Sequence, residues 1–542
     1  MSHLARPLRT RLTGCCAFLL LAAAPAALAD PYVPDPGYNN GQIGADNFAA
    51  TGYDYRRGEK LVRLDNGDII VAGVVPGVGS AAGHTKMGLV RYNSAGIRQT
   101  WSNPGANGFY NNQYVITPCL GTPNWCGDVR DVKGVYRYGD RVFVLADTEN
   151  SRLRSVGGNP PLLIWTPYPS VDAYVFGTDG SFKGMTVLDS DDYADDESRT
   201  VYGGGIAMYD NNMLPTTVSL VYAGTGIVDG LYRPRFARFT VASDSTMTAQ
   251  TDVVEPAFDT WCDNDPCQFN GIALGGRTSL TAPPRIYVAG ARWHPGPNPG
   301  QIGWGAGWDA FAASVNSNGT PRTAFSGSGL YDTEGIGSQS GGQKIAVDPG
   351  FLTSDDEVFL MANVEQACKD SIAVLKITEA GTTASTFGLG GKVVYGGSNQ
   401  TNTANCNLGW SVGTIRADYP TDIVYSNGKL GVTGLNIYRT GGICVVGQPC
   451  PEDNVDGELA VIDAATGAIE SWRGYAFGET PGGARSRHSG FWGIAASGED
   501  AFSVAGDVRY FNSAPADRAG KQMFATLRLK AQGDVIFRNG FD

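Results

Sequence analysis

Long apolar segments are missing from this chain of 542 residues once its first 29 residues are passed. No later run approaches the roughly 20 apolar residues that a membrane-spanning helix needs, so no spanning helix is expected. Long stretches with helical periodicity are also missing, which argues against an α-helical fold. Glycine is abundant instead, at 74 residues, and aromatic residues make up 10%. This composition predicts many short strands joined by tight turns.

Charge is scarce and unbalanced. Only 17% of the residues are charged, and 53 acidic residues exceed 41 basic ones, which gives a formal net charge of −12. Binding to the phosphates of nucleic acid needs clustered Lys and Arg, so nucleic acid is not an expected partner. An acidic surface mainly keeps an exported protein soluble.

Recognisable catalytic motifs are also missing. The chain has no Gly-x-Ser-x-Gly elbow, no phosphate-binding P-loop and no His-Glu-x-x-His, and it has only four histidines. An acidic run contains Asp189, Asp191 and Asp195, whose alternate spacing makes them weak calcium candidates. The EF-hand spacing is absent, and a solvated loop is the alternative. No cofactor other than calcium is indicated.

The first 29 residues have the layout of a secretory signal peptide. A basic segment with Arg6, Arg9 and Arg11 precedes an apolar run at residues 17–29, which ends in a small-x-small cleavage site before Asp30. A lipidation signal at Cys15 is the alternative, but that cysteine precedes the apolar run when it should follow it. We therefore expect a secreted or periplasmic protein, with a mature chain that begins near Asp30.

Eight cysteines remain after residue 29, an even number in a chain bound for an oxidising compartment. Zinc would need closer Cys-x-x-Cys pairs or nearby histidines, so disulfides are favoured. The pairs suggested by proximity are Cys119 with Cys126, Cys262 with Cys267, Cys444 with Cys450, and Cys368 with Cys406.

Two sequence signals recur together seven times. The first is an apolar run that ends in a small residue and returns every 66 to 78 residues: IIVAG at 69–73, VFVLA at 142–146, SLVYAG at 219–224, RIYVAG at 285–290, VFLMA at 358–362, KLGVTG at 429–434 and AFSVAG at 501–506. The second is a strand that runs into a tight turn, at 88–96, 172–180, 235–244, 309–319, 370–381, 457–467 and 524–533. Seven pairs of signals predict seven structural units.

Each unit can be read as four antiparallel strands, numbered here from first to fourth along the chain. In the first unit we predict them at residues 61–64, 69–73, 88–93 and 97–101. A lone four-stranded sheet cannot bury both faces, but copies packed around a ring can. The sequence therefore predicts an all-β, seven-bladed β-propeller over residues 53–542, with an open solenoid as the alternative.

The way in which the ring closes stays open at this point. Residues 534–537 can serve as the last strand of the seventh blade. Residues 41–48, within an N-terminal extension at 30–52, can close the ring instead.

The residues of the first unit resemble a known family. LVRLDNGDIIVAG at 61–73 and GLVRYNSAG at 88–96 are similar to the delta-60 type of bacterial β-propeller repeat, and residues 309–319 repeat part of the pattern. The resemblance implies a propeller in an exported or surface protein and carries no catalytic residues. The segments between second and third strands are longer here than in that family. Residues 535–542, VIFRNGFD, resemble a short tail that ends many secreted proteins of some Gram-negative bacteria.

Alternating strand direction divides the ring into two faces. Turns between first and second strands, and between third and fourth strands, lie on one face. Loops between second and third strands and the connections between blades lie on the other, which we call the long-loop face, and the cysteines and most tryptophans fall there. Aromatic side chains in such loops suit sugar rings, although they can also simply pack the loops.

The loop at residues 291–308 has the most unusual composition, and a second cluster surrounds a histidine before the seventh blade. The candidate ligand-binding residues are Arg292, Trp293, His294, Trp304, Trp308 and His488. We expect a monomeric, exported binding or scaffold protein that engages a glycan, an envelope component or a protein through its long-loop face. The alternative is an exported polysaccharide hydrolase or lyase with an axial active site.

Overall fold

The computed structural model describes 21 segments of the chain. They are residues 32–46, 57–76, 84–99, 109–111, 127–156, 162–190, 200–211, 218–228, 231–250, 253, 266–294, 307–333, 336, 339–350, 355–366, 369–396, 416–438, 454–475, 488–498, 500–509 and 522–532. The signal peptide and the C-terminal tail predicted above lie outside them. Among these residues no helix is long and apolar enough to cross a membrane.

The described residues are almost entirely β-strands. Two short strands, β1 (Tyr32–Pro34) and β2 (Gly44–Asp46), flank a three-residue 3₁₀ helix, Asn39–Gly41. The first blade consists of β3 (Arg57–Arg63), β4 (Ile69–Pro76), β5 (Thr85–Tyr92) and β6 (Phe109–Asn111). The second consists of β7 (Asp128–Tyr138), β8 (Arg141–Val156), β9 (Leu162–Gly177) and β10 (Phe182–Ser190). The third consists of β11 (Thr200–Asp210), β12 (Val218–Val228), β13 (Leu231–Val241) and β14 (Met247–Ala249).

The remaining blades repeat the arrangement. Blade four consists of β15 (Cys267–Arg277), β16 (Pro284–His294), β17 (Gly307–Val315) and β18 (Leu330–Asp332). Blade five consists of β19 (Gln339–Asp348), β20 (Glu357–Gln366), β21 (Lys369–Thr378) and β22 (Lys392–Tyr395). Blade six consists of β23 (Arg416–Ser426), β24 (Lys429–Tyr438), β25 (Asn454–Asp463) and β26 (Ile469–Tyr475). Blade seven contains β27 (His488–Gly498), β28 (Ala501–Arg509) and β29 (Gln522–Ala531).

The blades form a closed ring. Within each blade the strands pair in sequence order, all antiparallel. The first strand of each blade contacts the first strands of both neighbours, and β27 of the last blade contacts β3 of the first. The core lies between blades: Ile70 and Leu89 of the first blade pack with Val144 and Tyr174 of the second. The predicted seven-bladed all-β propeller is therefore confirmed, and the open solenoid is wrong.

All seven apolar runs are second strands and all seven strand-turn signals contain third strands, as predicted. The prediction for the first blade was wrong at its fourth strand. Residues 97–99 follow a tight turn, in which Gly96 has a φ of 77°, and contribute only an isolated bridge between Tyr92 and Arg98. The fourth strand is Phe109–Asn111 instead. Part of the predicted long loops is also strand: β8 and β9 extend over 16 residues each.

The seventh blade takes its outer strands from the N-terminus. Tyr32–Pro34 pairs with Leu529 to Ala531, and Gly44–Asp46 pairs with Phe524 to Thr526. This is the N-terminal closure considered above; residues 534–537 lie outside the described part of the chain. Tyr38, only 1% exposed, anchors the segment, with its hydroxyl 3.3 Å from Thr526 Oγ1.

The small residue that ends each apolar run has a packing role. A Cβ atom on Gly73 would clash with the carbonyl oxygen of Arg57 in the first strand, and one on Gly506 would clash with that of Gly490. Close approaches of the same kind occur at Gly224, Gly290 and Gly434. In these five blades the glycine leaves room for the backbone of the innermost strand, where a side chain would clash.

We expect Gly73→Ala to cost about 1 to 3 kcal/mol of unfolding free energy, because the added methyl group meets backbone in a packed interior. Gly474→Ala, where the nearest atom lies 4.0 Å from the added Cβ, is the matched control and should be neutral or slightly stabilising. Denaturant unfolding measures both. Equal effects would contradict the packing role.

Removal of the Tyr38 ring should open the ring closure. We expect Tyr38→Ala to cost about 3 to 5 kcal/mol, as for other large buried aromatic residues. Tyr202→Ala, at a side chain that is 40% exposed, should change stability by less than about 0.5 kcal/mol. A Tyr38 variant as stable as the Tyr202 variant would show that the N-terminal segment does not close the ring.

Candidate functional site

Every first strand contains a β-bulge at an equivalent position. The pairing register slips by one residue at Gly58/Lys60, Val132/Gly134, Gly203/Gly205, Phe269/Gly271, Gly342/Lys344, Pro420/Asp422 and Phe491/Gly493. The extra residues are Glu59, Lys133, Gly204, Asn270, Gln343, Thr421 and Trp492. Bulges redirect side chains and are common beside active sites.

These bulges surround a cavity on the propeller axis. Its volume is about 230 Å³, and the first strands of all seven blades line it. The lining residues are Arg57, Glu59, Lys60, Asp131, Val132, Lys133, Gly203, Asn270, Gln343, Lys344, Pro420, Thr421 and Trp492. Most of them lie in the first half of their strands, so the cavity lies towards the long-loop face, where the first strands begin.

Arg57 organises one side of the axial cavity. Its guanidinium group forms ion pairs with Glu59 and, at 2.7 Å, with Asp131. The same group lies over the indole ring of Trp492, 4.6 Å from the ring centroid. Lys133 forms an ion pair with Asp131 from the second blade. Charges from two blades and an indole ring from a third therefore meet here, although their positions are far apart in sequence.

The pKa values of Glu59 and Asp131 are displaced in opposite directions. Glu59 is 2% exposed; its burial and the neighbouring Asp131 raise its pKa well above the usual value, against the opposing effect of Arg57. Burial acts on Asp131 in the same direction, but Lys133 and Arg57 outweigh it and lower the pKa of Asp131 below its ordinary value.

Lys344 is an amine without a carboxylate partner among the described residues. Its Nζ donates to the backbone carbonyl oxygens of Gly204 at 2.9 Å and Asn270 at 2.7 Å. Burial, with a further contribution from the charge of Lys60, lowers its pKa to about 7. Both hydrogen-bond acceptors of Lys344 are therefore neutral carbonyl groups.

The other lysines of the cavity are paired. Lys60 Nζ lies 3.0 Å from Asp422 Oδ2 and donates to the carbonyl oxygen of Trp492 at 2.7 Å. Lys133 contacts Asp131 and lies 3.6 Å from Asp147. Among the described residues, Lys344 thus differs from the other two lysines of this cavity, because its hydrogen-bond partners are carbonyl groups and theirs include carboxylates.

A second cavity lies between blades four and five, also towards the long-loop face. Its volume is about 200 Å³, and it shares Gln343 with the axial cavity. Its lining combines an indole ring with amides and carboxylates: Gln268, Ala291, Trp308, Ser340, Gly341, Gln343, Asn363, Glu365 and Asp370.

Of the predicted ligand-binding residues, Arg292, Trp293 and Trp308 do not line the axial cavity. Arg292 forms an ion pair with Asp332 within its own blade. Trp293 packs edge-on against Trp308, with ring centroids 5.9 Å apart, and of the predicted residues Trp308 lines the second cavity. The side chains of His294 and His488 and the whole of Trp304 lie outside the described residues, so their roles stay predictions.

The calcium and disulfide candidates are largely outside the described residues too. Asp189 is buried at 4% exposure, and Arg235 Nε lies 3.3 Å from its Oδ2; burial raises its pKa. Asp191 and Asp195 are not described, and no group of three possible metal ligands occurs within the described segments. Of the mature cysteines the structure describes Cys267, which is 2% exposed; the four proposed pairings stay predictions.

Sequence reasoning missed the axial residues, among them Glu59, Asp131, Lys344 and Trp492. Each blade supplies only one to three of the lining residues, so no local motif marks them. The signal in the sequence that could have located these residues is the repeat period of the seven units. When the seven units are aligned on the small residue of the second strand, the bulge residues fall at equivalent positions.

No family model matches this sequence, and no curated protein matches it significantly. Among solved structures, the chain is similar to a polysaccharide lyase described as an ulvan lyase of family PL25, at 11% identity over 84% of this chain and 92% of that chain, with a TM-score of 0.39. It is also similar to a sialidase of Trypanosoma rangeli, at 10% identity over 93% of this chain and 57% of that one, with a TM-score of 0.32.

A putative glycoside hydrolase from Parabacteroides distasonis is similar at 11% identity over 76% of this chain and 88% of that chain, with a TM-score of 0.28. Such distant likenesses carry no information on the activity of this chain. The fold follows from its own strand pairing and ring of first strands.

The Lys344 amine should make stability depend on pH. Its pKa is lowered from 10.5 to about 7 on folding, so between these values the unfolded chain binds more protons and stability rises with pH. We expect Lys344→Met to be more stable than the parent below pH 7, on the order of 2 kcal/mol, with the difference shrinking towards pH 10.

Denaturant unfolding across this pH range measures the effect, and Lys60→Met is the matched control. Because Lys60 pairs with Asp422, its replacement should destabilise the protein at neutral pH. A Lys344 variant that behaves like the Lys60 variant would mean that the amine is charged in the native protein.

Proposed function

We propose that this protein binds an acidic glycan in the axial cavity. The observation that supports this most is the set of four basic side chains on the lining, Arg57, Lys60, Lys133 and Lys344, in a chain whose formal net charge is −12. The lining has only two carboxyl groups, Glu59 and Asp131, so its basic side chains outnumber its acidic ones. This excess favours an anionic ligand.

The rest of the lining favours a sugar as the bearer of that negative charge. The side chains of Asn270, Gln343 and Thr421 offer hydrogen-bonding groups suited to hydroxyl groups, and Trp492 adds an aromatic surface. A cavity of about 230 Å³ is sized for a single ring of a longer chain. The neighbouring rings would extend towards the long-loop face, where the second cavity, with Trp308, lies beside Gln343.

We place this binding outside the cytoplasm, on the strength of the predicted signal peptide, and we expect the monomer to suffice because the cavity is built from one ring of seven blades. A protein ligand on the long-loop face is the competing proposal. It would not need the buried basic residues of the axis.

Binding calorimetry with an oligomer of uronic acid tests the proposal. We expect Arg57→Gln to weaken binding roughly tenfold or more, since a charged hydrogen bond is worth about 1.5 to 3 kcal/mol. Binding should also weaken as salt is added. The same oligomer with its carboxyl groups reduced to alcohols should bind far more weakly.

Arg137→Gln is the matched control. Arg137 lies at the opposite end of a first strand, in an ion pair with Asp65, and should leave binding unchanged. Equal binding of the reduced oligomer, or equal loss in both arginine variants, would contradict an axial site for acidic glycans.

A further inference from the structure

The second cavity differs from the axial cavity in the charge of its lining. Four basic side chains and two carboxyl groups line the axial cavity. The second cavity has two carboxyl groups, Glu365 and Asp370, and no Lys or Arg among the described residues of its lining. The volumes are similar, about 230 and 200 Å³, and Gln343 lies in both linings. Two adjacent rings of one glycan would therefore meet surroundings of opposite charge.

The carboxyl groups of the second cavity disfavour a further negative charge. Glu365 and Asp370 lie directly opposite one another in β20 and β21. Like charges in such a cross-strand pair repel each other. The hydroxyl group of Tyr419 donates to Asp370 Oδ2 at 2.8 Å, which holds that carboxyl group in place. A carboxylate or sulfate on the bound sugar would add to the repulsion, whereas sugar hydroxyl groups can donate hydrogen bonds to the carboxyl oxygens.

The other lining residues favour an uncharged sugar ring. Trp308 supplies an indole ring that has two aromatic neighbours: the ring centroids of Tyr232 and Trp293 each lie 5.9 Å from it, at interplanar angles of 82° and 79°. An aromatic ring held in this way can stack on the apolar face of a sugar at little cost in side-chain entropy. The amide groups of Gln268 and Gln343 offer both donors and acceptors to hydroxyl groups.

We propose that the ligand is a glycan in which an acidic sugar is linked to an uncharged one, with the acidic ring in the axial cavity and the uncharged ring in the second cavity. This inference rests on the acidic-glycan binding proposed above. It names the class of polysaccharide, a heteropolymer rather than a polymer of uronic acid alone. It also assigns the choice of the second ring to Trp308, Glu365 and Asp370.

Matched tetrasaccharides test this pairing by calorimetry with the full mature protein. In hyaluronan and unsulfated chondroitin, glucuronate alternates with an uncharged N-acetylhexosamine. Chondroitin sulfate adds a negative charge to that second ring, and tetragalacturonate is acidic at every ring. We expect at least one unsulfated tetrasaccharide to bind about tenfold or more tightly than both of the others, because like charges brought together in an interface are costly. Tighter binding of chondroitin sulfate would overturn the proposal.

Gly341→Leu is designed to fill the second cavity alone. Gly341 lines that cavity and does not line the axial one. A Cβ atom on Gly341 would meet Gln343 Nε2 at 3.4 Å and Ala291 Cβ at 4.0 Å, which are ordinary contact distances to two other lining residues. We expect the variant to bind the unsulfated tetrasaccharides no better than tetragalacturonate. Unchanged binding of tetragalacturonate would show that the variant is folded and that its axial cavity is intact.

Trp308→Leu removes the indole ring and keeps an apolar side chain. We expect the affinity for the unsulfated tetrasaccharides to fall about three- to tenfold, the range for loss of one aromatic contact, with tetragalacturonate unaffected. Trp165→Leu is the matched control. Trp165 is 40% exposed in β9 of the second blade and lines neither cavity, so its replacement should leave both affinities unchanged.

Glu365→Gln tests the charge of the second cavity through a gain of binding, which a folding defect would not produce. The variant should bind chondroitin sulfate about threefold or more tightly than the parent, because one repulsive charge is gone. Glu357→Gln is the matched control. Glu357 lies at the other end of the same strand, in an ion pair with Lys376, and its replacement should not change this affinity. Equal affinities in the parent and both variants would overturn the role of Glu365.

The outcomes separate the two proposals. If tetragalacturonate binds at least as tightly as the unsulfated tetrasaccharides, the pairing with an uncharged sugar fails and the binding of an acidic glycan stands. If no tetrasaccharide binds, both proposals fail. If the unsulfated tetrasaccharides bind most tightly but bind equally well to the Gly341 and Trp308 variants, the assignment of the second ring to this cavity is wrong.

Discussion

The close approach of the first strand to the second strand is the constraint on which the rest of this structure depends. A carbonyl group of the first strand lies where a side chain of the second strand would otherwise be, so the second strand needs a small residue such as Gly73 or Gly506 there. Next to that contact, the first strand accommodates one extra residue as a bulge. The glycine contact occurs in five blades, with Ala146 and Ala362 at the same position in the other two, whereas the bulge occurs in all seven and produces a ring of bulge residues around one axis.

The same geometry explains why the axis is polar while the spaces between blades are apolar. Side chains of the second and third strands fill the interfaces between neighbouring sheets, as Val144 and Tyr174 do. The bulge residues have no such interface, so they can carry charge. Charges that are crowded in a partly buried place must be paired or neutralised. Arg57, Lys60 and Lys133 are paired with carboxylates, and Glu59 and Lys344 are the groups whose proton equilibria are displaced instead.

The fold could be predicted from sequence because the repeated unit has local signals. Second strands are apolar runs that end in a small residue, and third strands run into Gly turns with positive φ, as at Gly180 and Gly319. The fourth strand of the first blade was misplaced because the turn at Gly96 is followed at once by residues that suit a strand. The real fourth strand comes after a segment of nine further residues, 100–108, whose length nothing in the local pattern reveals.

The site was harder to predict, since its lining residues come from the first strands of all seven blades. In the sequence, Glu59 and Lys344 each look like an ordinary polar residue of a strand. Only the closure of the ring brings them to one cavity. The unusual composition of residues 291–308 pointed to Arg292 and Trp293, but these side chains pair within blade four. Trp308 of the same loop lines the cavity beside the axial one, and its role in ligand binding stays a prediction.

A crystal structure of the protein with a bound uronic acid trisaccharide would test the central claim most directly. We expect sugar density on the axis, with a carboxylate near Arg57 or Lys133. Density confined to the outer surface of the long-loop face, with the axial side chains untouched, would contradict it.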